Sequence, residues 1–108
     1  MIRFRFFLSG SRLTGFDVAG HAGYGEKGSD IVCAAVSSAA YLAANTLTDF
    51  TAADAAVTVD PNGRMTLTAK AEDETAQQLL KGLEHHIRML SEQYPDCIKI
   101  IYGGYSNA

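Results

Sequence analysis

Residues 2–20 read IRFRFFLSGSRLTGFDVAG, and this stretch decides the fold. Ile2, Phe4, Phe6 and Leu8 alternate with Arg3, Arg5 and Phe7. Successive side chains of a strand point to opposite faces, so this period of two predicts a half-buried strand. Ser9-Gly10-Ser11-Arg12 is a turn signal. Leu13 to Gly20 then reads as a second strand, weakened by Gly15 and Asp17. So short a link implies an antiparallel hairpin.

Working outward, residues 21–29 hold Gly23, Gly25 and Gly28, the composition of a loop that allows close backbone approach. Asp30 to about Thr51 has helical spacing, with Val32, Val36, Ala39/Ala40, Ala43, Leu47 and Phe50 on one stripe. Its alanines favour helix, and Ser29 or Asp30 suits the N-cap. Ala55 to Asp60 and Arg64 to Ala71 read as two more strands joined by Pro61-Asn62-Gly63. That link is a hairpin signal, since Pro fixes φ and Asn-Gly tolerates positive φ. Asp73 to Tyr94 is the second helix, with Ala76, Leu79/Leu80, Leu83, Ile87, Leu90 and Tyr94 as its apolar stripe. Asp73 and Glu74 suit its positive end, and Pro95 stops it. Cys97 to Tyr102 reads as a last strand, and Gly103 to Ala108 as a frayed polar tail.

The expected fold class is α+β in the order ββαββαβ: one mainly antiparallel sheet with two helices, as a single domain over residues 1–108. Two helices cover one face of such a sheet and leave part of the other to solvent or to a partner subunit. At 108 residues there is room for one core, and 47% hydrophobic with 19% charged residues suits a folded globular chain. A net charge of −3 gives no general attraction to nucleic acid or to an acidic membrane. No apolar run approaches the roughly 20 residues of a membrane span, and the start is too short in apolar residues for a signal peptide. Two cysteines, Cys33 and Cys97, are too few for a disulfide scaffold or a zinc ribbon. A reducing cytoplasm and reduced thiols are expected.

Chemistry points first to Cys33. In the first turn of a helix, unpaired N–H groups and the helix dipole favour a thiolate, which is the useful nucleophile. His21 lies twelve positions earlier, across the glycine loop, and could reach the thiol as its proton partner. Asp30 and Ser37/Ser38 are candidates for a third, orienting group, with capping as an equally simple role for Asp30. A cysteine in an alanine-rich helix can also be no more than a small buried apolar residue. Cys97, beside Ile98, reads as a sheet or core residue. His85 reads as solvated and His86 as flanking the apolar stripe. No ligand spacing supports a metal site or any cofactor. Arg3 and Arg5 share a strand face that could meet solvent, a dimer partner or an acidic partner.

Gly20-His21-Ala22, the glycine-rich loop and Gly28-Ser29-Asp30-Ile31-Val32-Cys33-Ala34-Ala35-Val36-Ser37 together resemble the signature of the ribosomal-processing cysteine protease family, Prp. The layout of the whole chain is similar to that family's, from the opening strand to the helix ending Glu92-Gln93-Tyr94-Pro95. The resemblance implies a bacterial cytoplasmic cysteine endopeptidase that acts as a homodimer. Its substrate would be the N-terminal segment of a large-subunit ribosomal protein, number twenty-seven, an extension ending in an aromatic pair. It implies His21 and Cys33 as the catalytic pair, and maps Asp30 and Ser37 onto the motif's aspartate and last serine. The loop with Gly23, Gly25 and Gly28 would receive the substrate. Tyr24, Glu26 and Lys27 are not carried over, since the family's loop residues vary. Two other functions fit the same residues: a non-catalytic ribosome-assembly or protein-binding module, and a thiol redox sensor using Cys33 with Cys97 to resolve it.

Overall fold

The structure, a computed structural model, describes residues 1–20 and 27–103, and of 27–30 the backbone alone. Its elements follow the expected order: β1 (Ile2–Ser9), β2 (Arg12–Ala19), α1 (Lys27–Phe50), β3 (Ala55–Val59), β4 (Met65–Ala69), α2 (Glu74–Gln93) and β5 (Ile98–Tyr102). The strands form one sheet in the order β3-β4-β2-β1-β5. β1 runs antiparallel to β2 and parallel to β5, while β4 runs antiparallel to both β2 and β3. The sheet is thus mixed, and mainly antiparallel.

Alternation places one side of each strand on a common core. Ile2, Phe4 and Phe6 of β1, Phe16 of β2, Met65 and Leu67 of β4 and Ile98 at the start of β5 are all buried there. Val32, Val36, Ala40, Ala43, Ala44 and Leu47 of α1 pack on them, with Ala76, Leu80, Leu83 and Ile87 of α2. The Phe4 ring lies 4.9 Å from that of Phe6 and 5.2 Å from that of Phe16, an aromatic centre for the sheet.

The hairpin departs from simple alternation at one point. Phe7 pairs with Gly15 but Leu8 with Leu13, so the extra residue, Thr14, bulges β2; on β1 the successive residues Phe7 and Leu8 are 3% and 43% exposed. Leu8, next to the end of β1, thus lies outside the core that its spacing predicts. The two residues read as weakening β2 have definite tasks. Gly15 has φ +146°, and a Cβ there would stand 2.0 Å from the backbone oxygen of Leu67, so β2 and β4 approach only because it is glycine. Asp17 is buried and pairs with Arg64, whose Nη2 donates to its Oδ2 at 2.7 Å. The Asp17 carboxylate holds the Arg64 guanidinium's pKa above its usual value, by hydrogen bond and by charge.

The helices run close to their expected limits. Asp73 caps α2, its Oδ1 accepting from Ala76 N–H at 2.9 Å. Gln77 is buried on α2 and clasps β2: its Oε1 accepts from Leu13 N–H at 2.9 Å and its Nε2 donates to Leu13 C=O. Phe50 leaves the α1 stripe and is 84% exposed, because the core ends at Leu47 and the chain turns away at Thr51. Tyr94, the C-cap of α2, is likewise exposed. Gly103 belongs to the sheet rather than to a frayed tail, since its N–H donates to Phe6 C=O at 2.8 Å; residues 104–108 lie outside the described residues.

One expectation about membranes needs correction. Ile31–Phe50, 20 residues with mean hydropathy 1.4, is long and apolar enough to cross a bilayer by length and composition. The spacing is amphipathic all the same, and its buried face is the one seated on the sheet. A core helix rich in alanine passes the same test.

Candidate active site

Cys33 stands in the wall of a cavity of about 100 Å³ where, among the described residues, four parts of the chain converge. Val18, Ala19 and Gly20 bring in the end of β2, and Ile2 the start of β1. Cys33, Val36 and Ser37 come from α1, and Asn62 and Gly63 from the β3–β4 turn. Cys33 is half-buried and packs on the core, while Ser37, one helical turn on, is exposed beside it. A cavity of this size takes a carbonyl group or one small side chain; it is far below the volume of a cofactor pocket.

Gly20 shapes the cavity's edge. Its φ is +90°, and a Cβ would stand 2.6 Å from the backbone oxygen of Met1. Only glycine lets the chain leave β2 so close to the N-terminal strand. His21 follows by one peptide bond. His21, Gly23 and Gly25 lie outside the described residues, as does the side chain of Asp30.

α1 begins earlier than its sequence suggests. It starts at Lys27, so Gly28 is helical rather than part of a loop, and Cys33 is the seventh helical residue rather than one of the first turn. Glycine is tolerated near a helix start, where N–H groups lack partners in any case. The unpaired N–H groups of α1 therefore belong to its first four residues. The N–H of a seventh residue is engaged by the carbonyl four positions back, and is not available to a ligand.

The opposite wall was not singled out by sequence reading. Pro61-Asn62-Gly63 reads as a turn, yet nothing in its spacing says that it meets Cys33. Gly63 N–H donates to Asp60 C=O at 2.9 Å, and Asp60 N–H to Arg64 C=O at 2.9 Å. Gly63, at φ +87°, closes this hydrogen-bonded turn in the left-handed region that favours glycine. Asp60 Oδ1 also accepts from Asn62 N–H at 2.8 Å and Arg64 N–H at 3.0 Å.

Other candidates fall elsewhere. Cys97 is half-buried just before β5, where its C=O accepts from Ile2 N–H at 2.7 Å, and neither cysteine is in a disulfide. His85 is exposed, and His86 lines a larger apolar groove of about 490 Å³ between α1 and α2 with Leu42, Leu79 and Leu83. Ser38 also lines that groove, so the structure parts it from Ser37, which stands beside Cys33 in the smaller cavity. Among the described residues, no group of three His, Cys, Asp or Glu side chains is placed to hold a metal ion.

None of the curated proteins matches the chain. The ribosomal processing protease Prp of Staphylococcus aureus, solved with a covalently linked product peptide, superposes with a TM-score of 0.84 at 26% identity, covering 94% of this chain and 99% of that one. The same protease with a substrate peptide gives 0.85 at 24% identity, again covering 94% and 99%. SMU.848 of Streptococcus mutans gives 0.81 at 28% identity, covering 95% and 94%. The sequence model of the cysteine protease Prp family matches residues 1–99, and this chain, a cysteine peptidase, belongs to that family.

Proposed function

We propose that this enzyme removes the N-terminal extension of a bacterial large-subunit ribosomal protein, number twenty-seven, with Cys33 as nucleophile and His21 as its proton partner. The observation that carries the reading is the cavity at Cys33: it also takes in Gly20, the residue before His21, in a chain of the cysteine protease Prp family. The covalently linked product peptide of the Staphylococcus aureus protease supports attack by a thiol.

The Cys33 thiolate attacks the carbonyl carbon of the scissile bond. A C–S bond forms and the C=O π pair moves onto oxygen. Collapse of that oxyanion expels the amine, to which His21 gives a proton. Water, losing its proton to His21, then attacks the thioester and releases the acid and the thiolate. Ser37, on the same face as Cys33, and Asp30 are the candidates for orienting the pair. Gly23 and Gly25 suit a loop against which a peptide backbone lies. The enzyme works as a homodimer in the cytoplasm. A net charge of −3 favours a protein segment over ribosomal RNA as its partner.

The test is cleavage of a peptide carrying an aromatic-pair extension. Wild-type protein is expected to cut after the pair, and Cys33→Ala and His21→Ala to lose that activity by at least about a thousandfold. Cleavage that survives Cys33→Ala, or none by the wild type, would sink the proposal.

A further inference from the structure

We infer that Asn62, in the β3–β4 turn, is a catalytic residue whose side-chain amide donates a hydrogen bond to the oxyanion formed when Cys33 attacks. The inference rests on the protease reading above and adds a residue to it.

Acyl transfer through a thiolate needs donors aimed at the oxygen that gains charge. A nucleophile at a helix start can supply its own N–H. Here α1 begins at Lys27, so the Cys33 N–H is engaged within the helix, and a donor must come from elsewhere. Asn62 lines the Cys33 cavity from the opposite wall, and at about 100 Å³ that space is only a few ångströms across. The Asn62 backbone N–H is spent on Asp60, and among the described residues no group holds its side-chain amide.

The turn is also rigid enough for the task. Asp60 ties down two N–H groups of the turn, Gly63 closes it at φ +87°, and Arg64 anchors its far side to buried Asp17 at 2.7 Å. A turn whose backbone is held before the reaction limits the reorganisation that the Asn62 amide undergoes as charge develops, which favours electrostatic catalysis.

The experiment compares wild type, Asn62→Ala and Asn62→Asp in three measurements: kcat, KM, and the rate of Cys33 alkylation by iodoacetamide. Alkylation displaces iodide at a saturated carbon and develops no carbonyl oxyanion. Asn62→Asp keeps a turn-forming residue while removing the donor, so it guards against misfolding. Both variants are expected to lose about a hundredfold in kcat, with KM and the alkylation rate within about twofold of wild type. Cleavage within threefold of wild type would overturn the assignment alone. So would a rise in KM with kcat intact, which marks ground-state binding, or a parallel loss of alkylation, which marks a disturbed cysteine. A wild type that cleaves nothing overturns the protease reading itself, and this assignment with it.

Discussion

At the scale of single residues, the strictest demands fall on glycines that a propensity scale would count as flaws. Gly15 lies mid-strand, where a Cβ would meet the Leu67 carbonyl at 2.0 Å. Gly15→Ala must therefore push β4 from β2 or twist an alanine at φ +146°, and the backbone strain alone costs on the order of 1–3 kcal/mol. Chemical denaturation is expected to show a loss at least that large, whereas Gly10→Ala, with open space at its Cβ, should cost less. Gly20 obeys the same logic beside Met1, where it edges the cavity of Cys33.

At the scale of elements, polar side chains set how the layers dock. Gln77 meets both the N–H and the C=O of Leu13 from α2. Gln77→Leu strands two buried backbone groups, and a loss of about 2–4 kcal/mol in unfolding free energy is expected. A cost under half a kcal/mol would mean that β2 finds other partners. The end of β5 is joined to α2 by Tyr102, whose hydroxyl donates to Glu84 Oε2 at 2.5 Å. Burial first, then that bond and the carboxylate's charge, push the Tyr102 pKa up from its ordinary value of 10.0. A phenol whose pKa is raised by folding stabilises the fold fully below its unfolded pKa. That contribution is lost as pH rises through the folded value. The midpoint of thermal unfolding is thus expected to fall faster above pH 10 in wild type than in Tyr102→Phe. Identical pH profiles for the two would refute this. The Arg64–Asp17 pair has no such signature on the arginine side, because Asp17 raises the pKa of a group already charged throughout the working pH range.

At the scale of the whole molecule, one core serves both helices and all five strands of the sheet. Exposed apolar side chains remain on α1, with Ile31 66% and Leu42 68% exposed. A homodimer is the proposed state, and sedimentation velocity at micromolar concentration is expected to give twice the chain mass of 11.6 kDa. A single species at the chain mass would overturn it.

The order of elements, the hairpin at Pro61-Asn62-Gly63 and the cysteine–histidine motif are legible in the sequence because each rests on local rules. These are a period of two or 3.6, a turn residue with a fixed φ, and a spacing along the chain. The bulge at Thr14 of β2, the exposure of Leu8, the burial of Asp17 and Gln77, and the start of α1 at Lys27 were not legible. Each is settled by what a distant strand or helix presents. Gly15 reads as a weak strand residue until Leu67 is placed against it, and Asn62 as a turn residue until Cys33 faces it. Local rules along the chain were enough to set which segments become strands and helices, and to single out Cys33 as the candidate nucleophile. The tertiary structure alone decided which surfaces meet around it, because long-range contacts depend on how the sheet orders its strands, and no local period encodes that order.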